Sequence, residues 1–262
     1  MAHLEEQWVG AELPVLQYTR DRILGLAEDP DKVDLNKLAS IIASDPLMTL
    51  RVLRLASAQC KGRMQGAPKT ALEAVILIGT GPLFRSCQDL PVIQDVLAGR
   101  PEALAGLTLA MTRSYRAARI AHRFASLLDD PDAEVIHEVA LLHDFAELLL
   151  WLHRPVLAQA TWQERTAEDV ARSRHRAHHA LPADMIQLGV RLMKAWHFNS
   201  QLIRLIEAHA APTSRGHLVD LAVRLVDRSA EQSEAIDDVD IQDASVVLRL
   251  DVDATRQLLR GL

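Results

Sequence analysis

The amino-acid sequence predicts an all-α protein. Apolar residues recur at helical spacing along nearly the whole chain, and no segment shows the period-two alternation that a half-buried strand requires. With 262 residues, 49% of them hydrophobic, the chain can bury a substantial core. We therefore predict a helical bundle in which an N-terminal helical subdomain packs on a second helical subdomain.

Helix-capping residues divide the first hundred residues into short helices. Asp34 is suited to cap one helix, which stops near Asp45-Pro46, and Thr70 and Glu73 have the spacing of a capping box. Gly79 provides a helix end. The helices expected here cover residues 16–26, 35–42, a stretch from 47, 70–79 and 82–97.

Gly99-Arg100-Pro101 is the candidate boundary between the subdomains, because a glycine suited to a helix end precedes a proline suited to a first turn. We assign 1–99 to the N-terminal subdomain, 100–230 to the second, and 231–262 to an acidic, solvated linker with short helices that pack on the bundle. A long helix is expected over 101–128. The next, begun by Asp130-Pro131 and running to about His153, would carry the pair His143-Asp144. Further helices are expected near 163–174, 182–194, 200–210 and 217–229, and in two pieces after 243.

Composition excludes several classes of protein. The formal charge of −6 argues against a broad basic surface for nucleic acid or anionic lipid. Cys60 and Cys87 are too few for a disulfide framework and lack zinc or redox spacing. The N-terminus carries acids where a secretory signal carries bases, and no apolar run approaches the ~20 residues that span a bilayer. We expect a cytoplasmic protein without a cofactor.

His143-Asp144 is the feature that most suggests catalysis, since an imidazole and a carboxylate can ligate one metal together. Chance alone predicts about one such dipeptide in a chain of this composition, so only its surroundings carry information. Residues 140–150, ALLHDFAELLL, resemble the core helix of the HD superfamily, although Phe145-Ala146-Glu147 departs from the usual continuation.

The wider sequence resembles the non-enzymatic HDOD branch, the HD-related output domain. The resemblance runs in order over roughly residues 13–229, and Ala56-Ser57-Ala58 is a variant ending of its Asp-Pro helix. The segments that carry it are LPVL (13–16), SDPLMTLRVLRLASA (44–58), TALEAVILIG (70–79), LGVRLMKAW (188–196) and IEAHAAP (206–212). It implies a degenerate HD-like second subdomain.

Catalytic HD enzymes share a set of side chains that bind metal. The resemblance of this chain to the HDOD branch implies that it lacks part of that set. Arg113 falls where the first histidine should be, and a guanidinium has no lone pair to donate. Val223 falls at the last aspartate in the best register, although Asp220 lies one turn away, and Met185 falls at a further histidine. We expect no metal site, or at most one at His143 and Asp144. Instead, the pair would form a buried hydrogen bond, with Arg113 replacing the metal's charge beside Asp144.

Other histidines have a less specific interpretation. His175 and His179 could present two imidazoles to zinc, but a solvated basic cluster with the neighbouring arginines is the favoured interpretation. His209 could face the same cavity as His143, although lone histidines on apolar helices are more often packed. Ser114 could join a nucleophilic triad, but adjacent His and Asp on one helix diverge by ~100°.

The resemblance implies a non-enzymatic bacterial signalling or regulatory protein that acts through protein or ligand binding. The expected site is a groove around Arg113, His143, Asp144 and His209, and the expected partner is a separate signalling or regulatory protein. A homo-oligomer is left open, while nucleic acid and membrane are not expected partners. The alternative is a residual metal-dependent phosphohydrolase of nucleotides or cyclic dinucleotides that uses Asp220. A nucleic-acid-associated regulator is a third reading.

Overall fold

The computed structural model describes residues 2–60, 64–162, 183–207, 214–230 and 238–261. Within these ranges the chain is helical, and the only β contact is an isolated parallel bridge between Val15 and Val92. The predicted all-α class is confirmed. The α-helices are α1 (Ala2–Val9), α2 (Gln17–Leu26), α3 (Leu35–Ile42), α4 (Pro46–Gln59), α5 (Ala71–Ile78), α6 (Thr80–Gln88), α7 (Ile93–Val96), α8 (Pro101–Leu127), α9 (Ala133–Leu141), α10 (Phe145–His153), α11 (Ala183–Ala195), α12 (Ser200–Glu207), α13 (Ser214–Ala230), α14 (Asp238–Leu248) and α15 (Val252–Arg260).

Side-chain caps begin α3 and α5 as predicted, and a buried aspartate begins α4. The Asp34 carboxylate accepts hydrogen bonds from the first turn of α3, and the Thr70 hydroxyl accepts one from the Glu73 amide in α5. Asp45 is fully buried, and its carboxylate accepts the amides of Leu47 and Met48 at 3.0 Å. It also accepts the Leu16 amide at 3.1 Å. One side chain therefore begins α4 and fixes the approach to α2.

The predicted helix over 82–97 is wrong in its extent. The structure has α6 and the short α7, separated by an extended segment around Pro91. The Val15 amide donates to the Pro91 carbonyl at 3.1 Å, and the Ile93 amide donates to the Val15 carbonyl at 3.0 Å. Proline interrupts a helix because it lacks an amide hydrogen, and the freed segment pairs with the chain before α2 instead.

The long predicted helix is confirmed as α8, which is the central element of the second half. Helices α9, α10 and α13 pack against it. Gly106 permits a close approach of α10, since a Cβ there would lie 2.5 Å from Cη2 of Trp151 on α10. The sequence requires a glycine at this point because a buried indole occupies the space of its side chain.

The predicted helix from Asp130-Pro131 to His153 is divided, so His143-Asp144 does not lie within a helix. A turn at 142–144 separates α9 from α10. The His143 amide donates to the Ala140 carbonyl at 3.4 Å, an i to i−3 contact that tightens the chain. This turn brings together two adjacent side chains that a continuous helix would separate by ~100°.

The two ends of the chain contain more packed structure than the sequence predicted. Helix α1, which the pattern did not predict, packs on α11, and the Trp196 indole donates to the Val9 carbonyl at 2.8 Å. The acidic stretch 231–243 is not wholly a solvated linker, because α14 begins at Asp238 and Asp240 is fully buried against Arg224. The predicted helix at 163–174 lies outside the described residues, and the subdomain boundary at 99–101 stays a prediction. No helix in the described part combines the length and apolar character needed to cross a bilayer.

Candidate functional site

Arg113 is the centre of a buried ion-pair cluster that joins three helices. Its Nη2 lies 2.9 Å from both Oε1 and Oε2 of Glu147 on α10. Its Nε lies 3.6 Å from Oδ1 of Asp227 on α13. The three side chains are 9%, 6% and 10% exposed, so these contacts lie inside the protein. Charges buried to this degree persist only when they are paired, and here each acid contacts the same guanidinium.

Two tryptophans complete the surroundings of this cluster. The Trp151 indole donates to Glu147 Oε1 at 3.3 Å, and the Trp162 ring lies 4.6 Å from Arg113 Cζ. Burial lowers the pKa of Arg113, but the carboxylates of Glu147, Asp227 and Asp144 outweigh burial and raise it. Arg113 is therefore a permanent cation held by acids and an aromatic face.

The His143-Asp144 pair occupies the turn between α9 and α10. Nδ1 of His143 lies 2.7 Å from Oδ1 of Asp144, and because a carboxylate only accepts, Nδ1–H donates. This contact corrects the expectation that the two side chains diverge. Burial lowers the pKa of His143, but the charge and hydrogen bond of Asp144, with charges on Asp220 and Asp227, raise it overall. Ser114, the third residue of the hypothetical triad, donates its hydroxyl to the Ala110 carbonyl of its own helix.

Very little free space remains where these side chains meet. A cavity of about 10 Å³ is lined by Arg113, Ser114, Asp144, Val223 and Asp227, among others. That volume holds about one water molecule. On another side of Arg113, a cavity of about 350 Å³ is lined by Trp151 and Trp162. The predicted groove is thus filled around Arg113 by the ion-pair cluster, and among the described residues a larger cavity lies beside the two tryptophans.

The residues present do not fit a divalent metal of the kind that HD enzymes hold. The guanidinium of Arg113 has only N–H hydrogen-bond donors, whereas a metal ligand needs a lone pair. Asp220 is paired with Arg224, whose Nε lies 3.1 Å from Asp220 Oδ2. Among the described residues, no group of three His, Cys, Asp or Glu side chains is arranged to hold a metal ion.

The structure brings together some of the predicted site residues. Arg113 and Asp144 line one small cavity, with His143 hydrogen-bonded to Asp144. Met185 is buried. Val223 lines this small cavity as well, whereas Asp220 does not. His175, His179 and His209 lie outside the described residues.

Sequence reasoning missed the two acids closest to Arg113, which are Glu147 and Asp227, and named Asp144 instead. A signal for Glu147 was present, because it is the only charged residue in FAELLLWL and so had to be buried. Asp227 lies one turn after Val223, on the same face of α13. An arginine placed in a core itself demands such partners.

The helical bundle and its His-Asp turn define a domain of the HD-related type. The HDOD domain model matches residues 13–212, which is most of the chain. This chain therefore belongs to the HDOD domain family. A comparison with curated proteins gives no match.

Solved structures share this fold at low identity. The MmoQ response regulator from Methylococcus capsulatus str. Bath is 19% identical with a TM-score of 0.68, over 96% of this chain and 99% of that chain. A virulence factor from Campylobacter jejuni subsp. jejuni is 18% identical with a TM-score of 0.64, over 100% of this chain and 99% of that chain. At such identity the likeness concerns the fold alone.

Proposed function

We propose that this chain is a non-enzymatic regulatory protein that relays a signal by binding a partner protein. The observation that carries the proposal is the Arg113–Glu147 pair, which fills the place where the resemblance to HD enzymes puts a metal-binding histidine. The buried guanidinium occupies that place itself and already pairs with both carboxylates.

The neighbouring contacts support the same function. His143 is buried and donates to Asp144, so the pair fixes the turn between α9 and α10. A cavity of about 10 Å³ beside it admits no nucleotide or cyclic dinucleotide. One similar structure carries the name of a response regulator, which is in keeping with a signalling role for this chain.

Metal content and turnover test the absence of catalysis. Purified protein, saturated with Mn²⁺ and then desalted, is expected to retain well under one metal per chain and to hydrolyse a generic phosphodiester no faster than the His143→Ala variant. The matched variant Arg113→His puts an imidazole at the same position. This variant returns one of the missing ligands and so shows whether the assay responds to a gain in metal affinity. Stoichiometric metal in the wild type, with turnover that His143→Ala abolishes, would contradict the proposal.

Affinity capture from the native cell, followed by titration of the purified partner, tests the binding role. We expect saturable binding with a defined stoichiometry. The exposed variant Arg22→Ala serves as a control for folding and charge. If no purified candidate binds the full chain, the partner-binding part of the proposal fails independently of the metal result.

A further inference from the structure

Helix α8 presents three arginines to one cavity that Arg113 does not line. Arg116, Arg119 and Arg123 are spaced by three and four residues, so they share a face of the helix. They line a cavity of about 720 Å³ between α8, α3 and α9, near the end of α15. We call this the arginine groove, with Tyr115, His122 and His137 as its other principal side chains.

The charges in the arginine groove are poorly compensated. Arg116 and Arg119 are exposed and make no ion pair with any residue in the described ranges. The acid that lines the groove, Glu134, lies 3.1 Å from Nε2 of His122. Like charges one turn apart disfavour a helix slightly. Three guanidiniums that line one cavity therefore favour an anionic ligand, even in a chain of net charge −6.

Aromatic rings stand beside these cations. The Tyr115 ring is half-buried, and Arg119 Cζ lies 5.9 Å from its centre. Burial lowers the pKa of His137 to about 4, so this ring is neutral near pH 7 and offers a hydrogen-bond donor and an acceptor. The His122 and His137 rings meet edge to face with 6.1 Å between their centres. The groove thus combines cations for phosphate with flat surfaces and a neutral polar ring.

We propose that the arginine groove binds a small phosphate-bearing anion of the nucleotide class, with its phosphates on the three arginines and its base against Tyr115. Guanidiniums bind phosphate oxygens in bidentate fashion. Arg116 and Arg123 are separated by seven residues, or roughly 10 Å along the helix, which suits a ligand with more than one phosphate. The volume lies within the range of ordinary ligand pockets, about 300–1,000 Å³.

This inference goes beyond the proposed partner-binding function and does not depend on it. Ser40 on α3 and His137 on α9 line the same groove as the arginines of α8. A ligand held there contacts helices of both halves of the bundle and stabilises their packing. It would supply a signal that the partner surface could report.

Titration calorimetry of the full chain with ATP tests the site, with adenosine and inorganic pyrophosphate as comparison probes at constant ionic strength. We expect ATP to bind at micromolar concentration, pyrophosphate to compete, and adenosine to bind at least tenfold more weakly. Removing one guanidinium should weaken the binding of ATP about tenfold. The double variant Arg116→Ala, Arg119→Ala should therefore bind ATP roughly a hundredfold more weakly than the wild type. The matched control is Arg22→Ala, because Arg22 also lies over an exposed tyrosine, 5.4 Å from the ring of Tyr18, but outside the groove.

Thermal unfolding of each variant checks that the exposed substitutions leave the fold intact. The proposal is overturned if neither ATP nor pyrophosphate binds below 1 mM, or if the groove variants bind ATP as well as Arg22→Ala does. It is equally overturned if adenosine binds as tightly as ATP, or if only a long oligonucleotide or acidic peptide binds through these arginines. None of these outcomes alters the metal or partner results that test the proposed function.

Discussion

Nη2 of Arg113 lies 2.9 Å from both carboxylate oxygens of Glu147, and this pair joins α8 to α10 inside the protein. Asp227 on α13 lies on the other side of the same guanidinium. Arg113 therefore supplies the positive charge for two buried acids, and these ion pairs join α8, α10 and α13. In the function proposed above, this charge takes the place of the metal that the resemblance to catalytic HD enzymes would put here.

Arg113→Ala should destabilise the protein by about 3–5 kcal/mol, because it leaves Glu147 and Asp227 buried without their cation. Urea unfolding at neutral pH measures the change. The double variant Arg113→Met, Glu147→Leu should be less destabilised than the single variant, since only Asp227 is then left buried without its cation. Arg22→Ala, at an exposed site, should change the free energy by less than about 0.5 kcal/mol. Unchanged stability of Arg113→Ala would defeat the idea that the arginine replaces a metal's charge.

Gly106→Ala should cost about 1–3 kcal/mol, because its Cβ would lie 2.5 Å from the buried Trp151 ring. Gly25, within α2, is the matched control, since a Cβ there meets nothing within 4 Å. Gly25→Ala should stabilise the protein by about 0.4–1 kcal/mol through backbone entropy. Chemical denaturation of the two variants and the wild type measures both changes in the free energy of unfolding, one a loss and the other a gain. Equal effects at the two glycines would rule out the steric explanation.

The sequence predicted most of the fold because local signals determine it. Asp34 and Thr70 cap their helices as their positions indicate, and Pro101 begins α8. The failures have a tertiary cause. The turn at His143 depends on a side-chain contact, and the break after α6 depends on pairing with Val15, neither of which periodicity records.

The candidate site was predictable only in part. Arg113, His143 and Asp144 were identified by their places in a family pattern, whereas Glu147 and Asp227 required knowledge of which helices meet. The arginine groove was also not predicted, although Arg116, Arg119 and Arg123 show helical spacing in the sequence. Their significance depends on α3 and α9 forming the opposite walls of a cavity, which composition and spacing do not reveal.

We expect the buried carboxyl group of Glu138 to make the protein less stable as the pH rises. It is buried on α9 and accepts the Ala71 amide of α5 at 2.7 Å, while its Oε2 has no hydrogen-bond partner in the described part of the chain. Burial raises the pKa of Glu138 from 4.5 to about 8. The folded state therefore binds a proton more tightly than the unfolded state, and stability should fall as pH rises from about 4.5 to 8.

The variant Glu138→Gln tests this directly, because its amide oxygen can still accept the Ala71 hydrogen bond but does not titrate. Urea midpoints at pH 5.5 and pH 8 should differ more for the wild type than for Glu138→Gln. The stability of Glu138→Gln relative to the wild type should increase as the pH rises. The exposed Glu6→Gln substitution is a control for total charge. A wild-type pH slope that Glu138→Gln leaves intact would assign the dependence to other groups.

His143 should titrate above its ordinary value, and Asp144 should be the main cause of that shift. A histidine with a raised pKa in the folded state contributes stability below about pH 6.5, and this contribution is lost as pH rises through the folded pKa. Asp144→Asn removes the charge that opposes burial, so the pKa of His143 should fall and the variant should lose more stability at pH 6 than at pH 9. Imidazole resonances followed by NMR measure the pKa, and Asp220→Asn, which acts through charge alone, should lower it less. If Asp144→Asn leaves the His143 titration where it was, the 2.7 Å contact is not the hydrogen bond that fixes the turn.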